Sequence, residues 1–390
     1  MTTLDQITHT LSWAYTIERG LKLAAVARFF TRQLPPAPAE WPSVTLLQPV
    51  TRGAGNLRAA LEARASLNYP AHIQHLLICD TRDGESQQLC RQWMARHPHL
   101  DATLVQVDAH TGIASKTAKL QAGLAYAHAD VVCCVDDDII LRPDALSTMI
   151  PYLWEQGAGA TFGLACYTDW SNLPSSLMSA FVNSNALLTY IPGTYLTEPF
   201  TITGHIFAVH RHVLQGVGGF AGLENNIADD HMLAEKIRGA HLRIVQTPMI
   251  YDVENHFGTF REYAAQMKRW FIFPRQALIP LMTPKEQAVT LALSVGNMVP
   301  SLLAVIALLT RRRNTIASLA RSLVAFNITY TLCESLYVKR LTPPNRRALV
   351  SIVALLSPLQ IVGALLSGND IEWRGRRLHI RRGGDFAEIK

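Results

Sequence analysis

A five-residue apolar run, Val131–Val135, passes directly into three carboxylates, Asp136, Asp137 and Asp138, and then into Ile139 and Ile140. An unbroken apolar run of that length reads as a strand buried on both faces, which requires a sheet covered above and below. The triplet holds negative charge at the sheet's edge, so something cationic is expected there. Strand-end crevices of open α/β sheets are where ligands bind. Hard divalent cations take oxygen ligands, usually one or two carboxylates together with substrate phosphates. The alternating pair Asp136 and Asp138 could therefore hold Mg²⁺ or Mn²⁺ against a diphosphate. An isolated pair of this kind is better read as a solvated acidic turn; the charged residues downstream shift the balance.

Residues 44–47, 74–79, 103–107 and 131–135 read as strands, and 56–66, 85–96 and 115–127 as helices. Strands separated by helices imply an α/β domain with a mostly parallel sheet. Ahead of it, residues 5–31 mix Leu11, Trp13, Ile17 and Leu21 with Glu18, Arg19, Lys22 and Arg28. No uninterrupted apolar stretch long enough to span a bilayer is present there, so an interfacial amphipathic helix is expected. The run Leu34-Pro35-Pro36-Ala37-Pro38 makes a stiff linker. Beyond Pro284, residues 287–309 and 348–367 are almost wholly apolar and reach the roughly 20 residues of a spanning helix. Residues 315–337 carry Arg321 and Glu334 and read as a third span, a re-entrant hairpin or an interfacial helix. The chain thus divides into a membrane-associated helix (1–33), a linker (34–42), an α/β domain (43–283), membrane helices (284–368) and a basic tail (369–390). Three C-terminal spans with none before them would place that tail across the membrane from the α/β domain.

Composition agrees with a membrane-attached protein: 49% of residues are hydrophobic and only 17% charged, and the mean hydropathy is +0.11. The six cysteines show no C-x-x-C or other metal-ligand spacing and read as reduced core residues of a cytoplasmic domain. A net charge of +6 is concentrated beside the apolar segments, at Arg311-Arg312-Arg313, Lys339-Arg340, Arg346-Arg347 and 374–382. That placement suits anionic lipid headgroups. Aromatic residues are not interleaved with these charges as nucleic-acid stacking requires.

Four charged stations recur in order: Asp80-Thr81-Arg82-Asp83, Asp136–Asp138, Ile227-Ala228-Asp229-Asp230-His231, and Gln266-Met267-Lys268-Arg269-Trp270. Two strand-end acids of one parallel sheet share an edge, so the first two stations face one crevice. The series resembles the D, D-x-D, (E/D)D, Q-x-x-R-W pattern of inverting nucleotide-sugar glycosyltransferases. More closely, it is similar to the ceramide glucosyltransferase family, glycosyltransferase family 21. Leu46-Leu47-Gln48-Pro49, Gly112 with Lys116, Pro143-Asp144-Ala145-Leu146, Thr203-Gly204, Gly218-Gly219 and the tail Trp373-Arg374-Gly375-Arg376 match that family as well; Ala114 and Lys119 depart from it, standing where asparagines are usual.

The resemblance implies a GT-A type nucleotide-sugar domain. Within it, Asp80 and Asp83 would accept hydrogen bonds from the nucleoside, and Asp136 with Asp138 would reach the metal on the diphosphate. Arg269 and Lys116 would neutralise the UDP leaving group, and Asp230 would be the general base that activates an acceptor hydroxyl. Asp137, Gln266 and Trp270 belong to the implied donor site; Gly204, His205, Asp229 and His231 are candidate acceptor contacts. Each has a plainer reading: Asp229-Asp230 as a helix N-cap pair, Gln266/Arg269/Trp270 as a packing cluster, Lys116 as a solvated lysine, the histidines as polar packing. The apolar stretch Leu177, Met178, Phe181, Val182, Leu187, Leu188 and Tyr190 is either a membrane-surface helix presenting a lipid acceptor or part of the domain's core.

Overall fold

The computed structural model describes residues 2–51, 53, 55–109, 115–373 and 376–389, except for the side chains of Ser357 and Ala364. Of the motif residues named above, Gly112, Ala114, Arg374 and Gly375 lie outside the described residues.

The expected strands form as β1 (Val44–Pro49), β2 (Ile73–Asp80), β3 (Asp101–Val107) and β4 (Val131–Val135). They are joined by β5 (Ile139–Leu141), β6 (Ala158–Tyr167), β7 (Ile206–His210) and β8 (Arg243–Val253). One eight-stranded sheet results, ordered β3-β2-β1-β4-β7-β6-β8-β5. Four of its seven pairings are parallel and three antiparallel. Every side chain of Val131–Val135 is buried, as an unalternating apolar strand demands. Each buried valine contributes about 1.5–3 kcal/mol.

Helices cover both faces. In chain order they are α1 (Thr3–Thr31), α2 (Leu57–Ala65), α3 (Gly84–Arg96), α4 (Ser115–Leu124), α5 (Ala145–Met149), α6 (Leu173–Asn185), α7 (Ile191–Gly193), α8 (Arg211–Gly216), α9 (Asp229–Gly239) and α10 (Phe260–Phe273). After them come α11 (Pro284–Asn297), α12 (Val299–Thr310), α13 (Arg313–Cys333) and α14 (Arg347–Leu366). Leu177, Met178, Leu187 and Leu188 are buried in the sheet's core, whereas Tyr190 is exposed; most of that apolar stretch is therefore core. All six cysteines are free and buried.

Among the described residues, two helical stretches are long and apolar enough to cross a membrane, Pro284–Thr310 and Arg313–Val338. The second is the segment carrying Arg321 and Glu334. Glu334 is buried and ion-paired with Arg347, and Arg321 lies over the Trp13 ring. The interfacial amphipathic reading of residues 5–31 meets a different geometry. The helix is there, but α1 runs parallel to α13, with Asp5 beside Arg312, Ser12 donating to the Ser318 carbonyl at 2.8 Å, and Phe30 stacked on Tyr337. Its largely polar side faces inward and apolar residues face out: Arg19, 1% exposed, donates to Asn297 of α11 at 3.1 Å, while Ile17 is 62% and Leu21 67% exposed. Small hydroxyl residues at the contact let the two backbones approach closely.

The tail does not lie across from the α/β domain. It folds as β9 (Asp370–Trp373), β10 (Arg376–Ile380) and β11 (Phe386–Glu388), an antiparallel sheet packed on Ile272 of α10. The reason lies in α14, which rests against α6 and α10, its Gln360 donating to the Tyr263 hydroxyl at 2.7 Å. The chain is thereby returned to the side of the large sheet and its helices.

Candidate active site

The end of β4 is held from three directions. Asp136 donates its amide to the His205 carbonyl at 2.9 Å and accepts from Gln48 Nε2 at its own carbonyl, 3.2 Å. Gln48 is in turn gripped by the buried Arg64 guanidinium, 2.6 Å away. The Asp136 carboxylate faces Lys116, whose Nζ lies 2.7 Å from Oδ1 and also donates to the Gly204 carbonyl at 2.8 Å. Lys116 is thus no solvated lysine. Burial alone would push its ammonium down, but Asp136, Asp229 and Asp230 outweigh burial and hold it above its usual range.

The third station arrives on the first turn of α9. Thr117 of α4 donates to Asp229 Oδ2 at 3.3 Å, and Asp230 Oδ1 accepts the His231 amide at 2.8 Å. Gly204 is required by space here: a Cβ at that position would come within 2.8 Å of Asp230 Oδ2. Burial first and the Asp229 carboxylate second push the Asp230 carboxyl up to about 7, with Lys116 opposing them. A carboxyl poised at that value suits proton transfer near neutrality. The two remaining acceptor candidates behave differently. His231 is buried, and burial lowers its imidazole to about 4, so it stays neutral. His205 meets the Tyr251 hydroxyl at 3.1 Å through Nδ1, and Thr203 lies 3.4 Å from the same hydroxyl.

Asp137 and Asp138 are buried, and Asp137 Oδ2 accepts the Thr51 amide at 2.6 Å. Asp137 thereby braces the loop after β1. Asp80 and Asp83 shape the turn after β2: Asp80 accepts the Arg82 amide at 2.9 Å, and Asp83 caps α3 through the Ser86 amide at 3.0 Å. Their strand lies two places from β4, about 10 Å at normal strand spacing. On α10, the Trp270 ring stands edge-on to Tyr167 at 6.3 Å, and Tyr167 meets His205 at 6.2 Å. Arg269 and Gln266 share that helix, and the Arg269 guanidinium lies 5.6 Å over the Trp373 ring.

Tyr167 and Tyr251 were not legible beside these residues, because a tyrosine within an apolar run signals only a strand; Thr203 was named only as a family match. Thr117 had a faint signal in its place beside Lys116.

Among the described residues no three His, Cys, Asp or Glu side chains are grouped to hold a metal ion by themselves. A cation held there by Asp136 and Asp138 would have to complete its shell with phosphate and water, as Mg²⁺ and Mn²⁺ sites commonly do.

Comparison with known proteins agrees with this geometry. The model of the family described as Glycosyl transferase family 21 matches residues 6–386. Ceramide glucosyltransferase 1 of Caenorhabditis elegans is 22% identical over 256 residues, covering 64% of this chain and 54% of that protein. The chain thus matches about half the length of that relative. Among solved structures, the mannosyltransferase PcManGT from Pyrobaculum calidifontis, in complex with GDP-Man and Mn²⁺, superposes with a TM-score of 0.50 at 19% identity, over 91% of this chain and 99% of that one. The α/β domain has the GT-A-like fold of such enzymes.

Proposed function

The chain belongs to glycosyl transferase family 21, and from that premise we propose that it moves one hexose, glucose in the first instance, from a UDP-sugar to a hydroxyl of a ceramide-like lipid, with inversion. The observation that carries this reading is the convergence of Asp136, Gly204, Asp229 and Asp230 on one lysine, with Asp230 poised near 7.

Asp230 takes the proton of the acceptor hydroxyl, whose oxygen attacks the anomeric carbon from the face opposite UDP. The bond to the diphosphate oxygen breaks, and its electron pair leaves with UDP. One displacement turns an α-linked donor into a β-glycoside, with no covalent enzyme intermediate. Lys116 orients Asp136 and limits the repulsion among the three carboxylates around it; Arg269 supplies positive charge toward the leaving group. Asp80 and Asp83 receive the nucleoside. A bound Mg²⁺ or Mn²⁺, held by Asp136 with Asp138 as the second carboxylate of the pair, would add neutralisation of the diphosphate.

The lipid acceptor is supported by the helices beside the site. Pro284–Thr310 and Arg313–Val338 make two crossings, with α1 packed along α13; the chain so returns to the catalytic side, where α14 rests on α6 and α10 and the tail follows. Arg28, Arg32, Lys285, Lys339, Arg340, Arg346 and Arg347 gather at the catalytic end, against Arg311, Arg312 and Arg313 at the other. That asymmetry supports a cytoplasmic position for the catalytic end and an attraction there to anionic lipid headgroups.

The test is product analysis. Protein in detergent is given UDP-glucose, UDP-galactose or UDP-N-acetylglucosamine with ceramide, diacylglycerol or a hopanoid polyol. One β-linked hexose on ceramide is expected. Transfer only to another lipid would move the acceptor assignment, and repeated additions would favour a processive polysaccharide synthase.

A further inference from the structure

The C-terminal sheet touches both helices that carry the last two charged stations. On one side, Ile227 donates its amide to the Gly384 carbonyl at 2.9 Å, and Phe386 donates to the Asn225 carbonyl at 3.0 Å. Asn226 links the two segments further: its Nδ2 donates to the Gly383 carbonyl at 2.9 Å and to Asp385 Oδ1 at 3.1 Å. Its Oδ1 accepts the Ala228 amide at 2.9 Å. Ala228 is the residue from which α9 starts, one position before Asp229. On the other side, Gly383 donates to the Gln276 carbonyl at 2.7 Å just beyond α10, and the Trp373 ring lies under Arg269. The contact is apolar as well as polar, because Ile371, Leu378 and Ile380 of the tail bury Ile272 of α10 and cover part of Ile227.

The fit at Gly384 leaves no slack. Its φ is +89°, a region glycine enters without strain. A Cβ there would stand 2.6 Å from Asn226 Oδ1 and 2.8 Å from the Ala277 Cβ. Residue 384 is thus pressed between the approach to α9 and the continuation of α10, two segments about 50 residues apart in sequence.

We propose that the C-terminal sheet is a clamp that positions the catalytic groups. Asn226, held by Gly383, Gly384 and Asp385, sets the start of α9 and hence the place of Asp230; Trp373 sets the guanidinium of Arg269. These are positioning residues that act through Asp230 and Arg269. The proposal rests on the assignment of those two residues to base and leaving-group roles. Its structural half, that the tail orders the start of α9, can be tested apart from any activity.

The full-length protein in detergent carries the test, with Gly384→Ala and Trp373→Leu as the principal variants and Asn226→Ala as the milder probe of the first contact. Hydrogen exchange at the amides of residues 228–234 should speed up at least tenfold in Gly384→Ala and Asn226→Ala while the strands of the large sheet keep wild-type protection. Exchange unchanged at these amides in folded protein overturns the clamp, whether or not the protein transfers sugar. In kinetics the two contacts should separate. Gly384→Ala and Asn226→Ala lower kcat by tenfold or more and move the acid limb of the pH–rate profile, with the Kd for UDP within twofold of wild type. Trp373→Leu weakens UDP binding five- to tenfold and leaves the acid limb in place. A uniform loss in all variants, tracking their melting temperatures, would make the sheet a general stabiliser and overturn the positioning roles.

Discussion

Lys116 and Asp136 stand 2.7 Å apart, joining the first turn of α4 to the end of β4. Their pairing makes the acidic strand end compatible with a further two carboxylates on α9, because the ammonium that pairs with Asp136 also attracts Asp229 and Asp230. Without that cation the like charges would oppose one another across a partly buried cleft.

Replacing Lys116 by methionine keeps the length of the side chain and removes its charge. Transfer should fall on the order of 100-fold, the scale for losing one preorganised charge contact in an active site. The acid limb of kcat/KM against pH should also move upward, since Lys116 opposes the rise of the Asp230 carboxyl. Lys116→Arg should return the limb toward its wild-type position. A profile unmoved in Lys116→Met would separate this lysine from the base.

The pH dependence of wild-type activity has a definite sign. With Asp230 as the base, its carboxyl pushed up to about 7, kcat/KM is expected to rise with pH through that value and level off above it. Stability runs the other way. The folded-state value of Asp230 lies above the ordinary carboxylate value of about 3.9, so its contribution to the fold is fully present below that pH and is lost as pH rises through about 7. Asp230→Asn should therefore raise the melting temperature at pH 8 and change it little at pH 4, a difference readable by thermal unfolding in detergent.

Gly204→Ala tests the close approach between the loop before β7 and the base. The added Cβ would meet Asp230 Oδ2 at 2.8 Å, and relieving such overlap commonly costs about 1–3 kcal/mol. Transfer should drop between tenfold and 100-fold, and UDP should bind as before, because the turn proposed to receive the nucleoside, Asp80–Asp83, lies two strands away. Isothermal titration with UDP, set beside initial rates, reads both quantities.

The strands and the acidic stations were legible because their signals are local. Val131–Val135 reads as a buried strand, and carboxylates at the ends of parallel strands of one sheet share an edge. Lys116 was legible only through the family resemblance, since one lysine on a helix looks the same whether it meets water or a carboxylate; the approach of α4 to β4 and Gly204 supplies its partners. The orientation of α1 was hidden for a related reason. Its sequence is amphipathic, but which side faces a partner depends on α13, and Ser12 against Ser318 and Ser322 turned the polar side inward. The tail's return depends on α14 lying along α6 and α10. No count of apolar residues reveals that, since a helix of 20 residues can equally cross a membrane or lie on its surface.

The most direct measurement pairs turnover with UDP affinity in Asp230→Asn, a variant that keeps the side chain's shape and removes its basicity. Transfer to lipid is expected to fall by at least 1000-fold while the Kd for UDP stays within twofold of wild type. Transfer at the wild-type rate would contradict the assignment of Asp230 as the group that activates the acceptor.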